Sequence, residues 1–141
     1  EIKVYSHVEG KDAVHYTVDK TVELCRKQNI CDRVLFNCFD AYVLEYIHKK
    51  YGKEFLMHGY YPYTIMKNVT LDPCTYLDYA CFWKAPDEAK EAIDYLLSKG
   101  IAPCTGSDTS EENFYEYARM GCAMFTENDP ESALKWRKNL D

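Results

Sequence analysis

Between Lys84 and Ser107 the chain changes its hydrophobic rhythm twice. Ala89, Ala92, Ile93, Leu96 and Leu97 fall at i, i+3, i+4, i+7 and i+8, which gathers them on one face of a helix. Pro86 suits its first position, and Asp87 and Glu88 place negative charge in its first turn, where the helix dipole favours it. Lys99 sits in the last turn, Gly100 can take the left-handed stop, and Ile101 opens a short apolar run that ends at Cys104. A one-faced helix ended by glycine and followed at once by a strand is half of a βαβ unit.

The same reading extends along the chain. Glu1–Tyr5 reads as a strand and Ser6–Gly10 as a loop. Asp12 is placed to cap a helix to about Lys27, with Val14, Val18, Thr21, Val22 and Cys25 inward. Arg33–Phe39 is a strand by composition, and Asp40 caps a helix with Ala41, Leu44 and Ile47 inward and Gly52 as its stop. Glu54–His58 is a strand, Gly59–Pro73 a tyrosine-rich loop, Cys74–Tyr76 a short helical turn and Asp78–Trp83 a strand. After the unit just described, with its strand Ile101–Thr105, Thr109-Ser110-Glu111-Glu112 fits a capping box. Its helix carries Phe114, Tyr117 and Ala118 inward and stops at Gly121. Cys122–Thr126 is the last strand, and Asp129-Pro130 opens a terminal helix through Ala133, Leu134 and Trp136.

Strands alternating with helices imply a parallel sheet covered by helices. No G-x-G-x-x-G or G-x-x-x-x-G-K-[ST] occurs to support a doubly wound nucleotide-binding sheet. A (β/α) TIM-type barrel needs eight units, and this chain holds about six, arranged as a single domain over residues 1–141. The net charge of −6, with no basic stripe, argues against nucleic acid as a partner. No apolar run approaches the roughly 20 residues of a transmembrane segment. The chain begins at Glu1 and not at Met, so the expectation is that N-terminal sequence has been removed. The seven cysteines contain no C-x-x-C and are odd in number, which favours a reducing, cytoplasmic location.

In parallel α/β folds the chemistry lies at the C-terminal ends of the strands. The residues there are Glu1, Lys3 and His7; Phe39 and Asp40; His58 with the tyrosine loop; Trp83 and Lys84; Thr105, Ser107 and Asp108; and Thr126, Glu127 and Asn128. Glu1 and Lys3 are two apart and share a side of their strand. A carboxylate beside an ammonium suits a divalent cation and a phosphate oxygen, or is a plain surface ion pair. His15 and His48 fall within helices, whereas His7 and His58 fall at strand ends, and none has metal-ligand spacing. Tyr60, Tyr61 and Tyr63 could form a substrate wall or ordinary rim packing. Asn68-Val69-Thr70 is a glycosylation sequon by pattern.

Taken together these pieces resemble the glycerophosphodiester phosphodiesterase family, over the whole chain. Glu1-Ile2-Lys3 is similar to that family's E-I-K strand, and Asp32-Arg33-Val34 with Phe39-Asp40 to its D-R-V…S-F-D segment. Leu97–Asp108 resembles the late strand V-Y-V-W-T-V-N, with Thr105 kept, Cys104 for the Trp and Ser107 for the Asn. Gly121–Pro130 resembles the terminal G-V-D-G-I-I-T-D-x-P, with Glu127 for the Asp. The resemblance implies a TIM barrel of lipid metabolism that hydrolyses a small-molecule glycerophosphodiester to glycerol 3-phosphate and an alcohol. It implies a divalent metal, Ca or Mg, with Glu1 as a metal ligand and Lys3 as the phosphate contact. His7, His58, Tyr60, Tyr61, Trp83 and Thr105 then become candidates to line the substrate. In the family the H-R-G strand, further metal carboxylates and an H-D histidine precede E-I-K. None is in this chain, where His7 is followed by Val8 and His58 by Gly59. The expectation is therefore a hydrolase whose 141-residue portion is silent by itself, with a non-catalytic binding or scaffold protein on a truncated barrel as the alternative. Open edges at Glu1–Tyr5 and Cys122–Thr126 would invite self-association or pairing with an N-terminal fragment.

Overall fold

The computed structural model describes residues 1–106 and 110–140, and divides into two compact units, Glu1–Tyr79 and Ala80–Asp141. Ser107, Asp108 and Thr109 lie outside the described residues.

The first unit holds α1 (Lys11–Lys27), β1 (Leu35–Asn37), α2 (Ala41–Tyr51) and β2 (Leu56–Tyr60), with 3-10 turns at Cys31–Arg33, Tyr63–Ile65 and Pro73–Thr75. β1 and β2 are parallel, with Leu35 opposite Leu56, Phe36 opposite Met57 and Asn37 opposite His58. α1 buries Val14, Val18, Val22 and Cys25, the face its spacing predicts. It starts from Gly10, at φ 85°, and Asp12 sits in its first turn instead of capping it. α2 is capped as its sequence predicts, by Asp40 accepting from the Tyr42 N–H, and its end is closed by the Gly52 N–H on the His48 carbonyl.

All three strands expected in this unit differ from expectation. Glu1–Tyr5 is not a strand, because its backbone link to β1 is a single bond, Ile2 N–H to the Asn37 carbonyl at 2.9 Å, and one bond does not make a ladder. The described strands therefore number five, where about six were expected. β1 is shorter than Arg33–Phe39 because Arg33 belongs to a 3-10 turn. β2 begins two residues later than predicted because Glu54 is drawn into the preceding turn. Its carboxylate accepts from Arg26 Nε at 2.8 Å, and its N–H reaches the Tyr51 carbonyl.

The division between the units falls inside β3 (Tyr79–Phe82). The second unit continues with α3 (Pro86–Ser98), β4 (Ala102–Gly106), α4 (Glu111–Met120), β5 (Met124–Thr126) and α5 (Pro130–Arg137), the strands lying in the order β3-β4-β5. β4 and β5 are parallel, with Gly106 opposite Thr126. α3 buries Ala89, Ala92, Ile93 and Leu96, while Leu97 is exposed. Eight residues on from Ala89 is roughly 80° round the helix, so Leu97 marks the edge of the stripe. α4 is capped by Ser110, which accepts from the Asn113 N–H, one residue later than the Thr109 capping box places it. Gly121, at φ 103°, ends that helix in the left-handed conformation. Among the described residues no helix is long and apolar enough to cross a membrane.

Candidate functional site

In the first unit the pleat of β1 and β2 sorts the side chains into two faces. Phe36, Cys38 and Met57 are buried on one. Asn37, Phe39, His58 and Tyr60 share the other, and their contacts close on one another. Tyr60 donates its hydroxyl to Asn37 Oδ1 at 2.7 Å, and Asn37 Nδ2 lies 2.7 Å from His58 Nδ1. The Tyr60 ring stacks on Phe39, with centroids 3.7 Å apart and planes 7° from parallel. His58 is only 2% exposed, and burial pushes its pKa down to about 4, so the ring is neutral at pH 7. An amide nitrogen can only donate, so His58 Nδ1 accepts and the ring proton resides on Nε2. That Nε2 is buried and has no hydrogen-bond partner among the described residues.

Gly59 lets β2 come this close to its own unit. A Cβ there would lie 2.8 Å from Leu77 Cδ1 and 2.9 Å from Met66 Sδ. Two residues earlier in the strand, the Met57 N–H is taken by Asp78 Oδ2 at 2.8 Å.

At the end of β1 stands Asp40, with no exposed surface. One carboxylate oxygen accepts from the Ser6 N–H and the Ser6 hydroxyl, both at 2.6 Å. The other accepts from the Tyr42 N–H at 3.1 Å and from Asn68 Nδ2 at 3.0 Å. His7 Nδ1 lies 3.7 Å from the same carboxylate. Burial by itself would raise the carboxyl pKa. The hydrogen bonds from Ser6, Asn68 and Tyr42 outweigh that and hold it below the usual carboxylate range. Backbone bonds reinforce the junction, from Lys67 N–H to the Phe39 carbonyl and from Ala41 N–H to the Lys67 carbonyl, each at 2.8 Å. Asp40 thus fastens three stretches together: the segment after Lys3, the start of α2 and the loop at Asn68.

That clamp fixes the carriage of Glu1 and Lys3. The segment is held beside β1 at Ile2 and again at Ser6, running in the same direction as the strand. Ile2 is buried, whereas Glu1 and Lys3 on either side of it are exposed. Lys3 Nζ lies 3.4 Å from Glu1 Oε2, and the lysine side chain is 71% exposed. A hard divalent cation takes about six or more oxygens. Glu1 brings one carboxylate, already facing an ammonium, and among the described residues no group of three or more His, Cys, Asp or Glu gathers. The residues present do not by themselves fit a tightly held divalent cation.

The structure therefore brings together Glu1 with Lys3, and His58 with Tyr60, and joins His7 to Asp40. Tyr61 meets Tyr63 edge to face at 5.4 Å, and Tyr63 Oη lies 3.3 Å from Cys74 Sγ. In the second unit Trp83 is 48% exposed. Thr105 is buried, its hydroxyl bonded to Tyr117, which also donates to the Lys84 carbonyl. Cys104, at the position of the family's Trp, has no exposed surface, and burial pushes its thiol pKa up. Asn37 and Ser6 were not singled out by sequence reasoning, and Asn68 only as part of a sequon. The parity of Asn37 with Phe39 was the available sign of the first; nothing local announces the bonds of the other two to Asp40.

No family model matches the chain, and no curated protein matches it. Among solved structures it is similar to the crystal structure of a glycerophosphodiester phosphodiesterase from Parabacteroides distasonis ATCC 8503, with a TM-score of 0.67 and 11% sequence identity. The match covers 92% of this chain and 54% of that one, so the chain spans about half the length of its structural neighbour. At that identity the likeness shows the fold alone, a parallel α/β architecture consistent with part of a TIM-type barrel.

Proposed function

We propose that this chain is part of a phosphodiester hydrolase that acts on glycerophosphodiesters, releasing glycerol 3-phosphate and an alcohol. The observation that carries the reading is the fold likeness to a glycerophosphodiester phosphodiesterase over 92% of the chain. The Glu1–Lys3 pair, held on the open side of its segment, supports it. A phosphodiester is anionic and resists attack, so positive charge must meet its oxygens as the pentavalent transition state forms. Lys3 is placed to do this, exchanging Glu1 for a phosphate oxygen. Its compact ammonium serves as a point charge there. A Ca or Mg ion belongs to this proposal as the source of further charge stabilisation. In this proposal Glu1 would supply one of its ligands, and the others would come from groups outside the set gathered here.

The test uses the full-length natural protein that carries this chain. Release of glycerol 3-phosphate from a glycerophosphodiester, with and without chelator, measures the activity directly. Lys3→Met is expected to cut turnover at least about 100-fold, the scale for losing one charge-stabilising group. Its melting temperature should stay within about 1 °C, because an exposed ion pair contributes little. Normal turnover in Lys3→Met would remove Lys3 from the chemistry, and no release by the wild type would remove the hydrolase reading. The second reading, a non-catalytic binding protein, is favoured by Cys104, a fully buried thiol at the position where the resembled family has a Trp. It predicts phosphoester binding with no turnover in the same assay.

A further inference from the structure

We propose that His58 donates a hydrogen bond from neutral Nε2–H to an oxygen of the bound phosphoester, and that Asn37 is the positioning residue that keeps the proton on that nitrogen. This deepens the function proposed above and rests on it.

The geometry assigns the tautomer in three steps. Phe39 stacks on Tyr60 and holds its ring. Tyr60 donates to Asn37 Oδ1, which fixes the way round of the amide. The amide nitrogen is thereby turned to His58 Nδ1, which can only accept. The remaining ring nitrogen must carry the proton, and it is the one that lacks a partner. A buried N–H without an acceptor is rare in folded proteins and calls for an explanation.

The chemistry of the group narrows what it can meet. With its proton on Nε2, His58 presents no lone pair from that atom, so it serves there neither as a metal ligand nor as a general base. It is a donor, and its complement is an acceptor oxygen. The register pairs Asn37 with His58, and the Asn37 carbonyl accepts from the Ile2 N–H, so the segment that carries Glu1 and Lys3 lies beside this end of β1. Lys3 supplies charge to a phosphate, and a neutral imidazole supplies direction without a second charge. Nε2 has almost no accessible surface in this conformation, so the groups that cover it must give way to admit an oxygen, which then meets little competition from water.

The test is NMR on the full-length natural protein with 15N-labelled histidine. The His58 ring should show a protonated Nε2 and an unprotonated Nδ1. Saturation with glycerol 3-phosphate should shift the Nε2 resonance. Asn37→Asp should move the proton to Nδ1, because a carboxylate there accepts, and should weaken glycerol 3-phosphate binding at least about tenfold. His58→Phe should weaken binding similarly while Lys3→Met leaves the tautomer unchanged. An Nδ1–H tautomer in the wild type overturns the proposal without any variant having to fold. So does an Nε2 resonance that ignores saturating glycerol 3-phosphate, or Asn37→Asp binding equal to wild type. Turnover without an Nε2 response overturns the role of His58 and leaves the hydrolase standing. An Nε2 response without turnover overturns the hydrolase and leaves a phosphoester-binding site.

Discussion

Replacing Asp40 by Asn tests the clamp that carries Glu1 and Lys3. The wild-type carboxylate accepts four hydrogen bonds and gives none: two from Ser6 and one each from Tyr42 and Asn68. Asparagine keeps one acceptor oxygen and replaces the other with a donor. If the oxygen stays on Tyr42 and Asn68, the new NH2 faces the Ser6 N–H, and a buried donor meets a donor. Losing one charge-assisted bond costs about 1.5–3 kcal/mol, and converting the others from charged to neutral adds about 1 kcal/mol. The expected loss is about 2.5–4 kcal/mol, a melting temperature lower by roughly 10 °C in a chain this size. Urea denaturation followed by circular dichroism measures it. The pH dependence has a definite sign. Asp40 is held below its ordinary carboxylate value, so its stabilisation is present above the unfolded pKa of about 3.9. It fades as pH falls through the lower folded value, so the gap between wild type and Asp40→Asn should close in acid. Ser6→Ala should be less than additive with Asp40→Asn, since both disturb the bond between the Ser6 hydroxyl and the carboxylate. An Asp40→Asn protein within about 1 kcal/mol of wild type at pH 7, or strict additivity with Ser6→Ala, would reduce Asp40 to an ordinary helix cap.

Glu45 is a second buried carboxylate, accepting from the Thr70 N–H at 2.7 Å, the Leu71 N–H at 2.9 Å and the Thr70 hydroxyl. Burial would raise its pKa, but those bonds pull it below the usual value, so Glu45→Gln should lose about 2–3 kcal/mol at pH 7. That difference should shrink as pH falls below about 4.3, and a loss independent of pH would contradict the assignment. Two glycines should rank by what a methyl group would strike. At Gly106 it would lie 2.9 Å from the Thr126 carbonyl oxygen, whereas at Gly59 it meets the flexible ends of Leu77 and Met66. Gly106→Ala should therefore cost about 2–3 kcal/mol and Gly59→Ala about 1 kcal/mol, and equal melting temperatures would refute the ranking.

What could be read from the sequence divides by range. α3 was legible because its apolar spacing, its proline and its glycine stop all lie within the helix or two residues of its end. The Asp40 cap was legible for the same reason, as a local bond to the Tyr42 N–H. The wider role of Asp40 was not, because Ser6 and Asn68 lie 34 and 28 residues away. Glu54 read as a strand residue until Arg26, 28 residues away, claimed its carboxylate. His58 stood out as a strand-end histidine, yet it lies inside β2, with Asn37 set against it by the pairing of two strands. Glu1 and Lys3 were paired correctly by period two, although their segment lacks the ladder that period two usually accompanies.

The loop at Asn68 ties up its own sequon. Its amide nitrogen, the atom a sugar would be attached to in Asn68-Val69-Thr70, is bonded to Asp40 and to the Ser6 hydroxyl. The hydroxyl of Thr70, which an oligosaccharide-transferring enzyme must read, is bonded to buried Glu45. Both ends of the sequon are thus consumed by folding. A sugar attached there would leave the amide nitrogen one hydrogen in place of two, so one of its bonds to Asp40 and Ser6 would be lost and bulk would be added at the junction. The folded loop thus gives the sequon's polar atoms a structural use that a glycan would compete with.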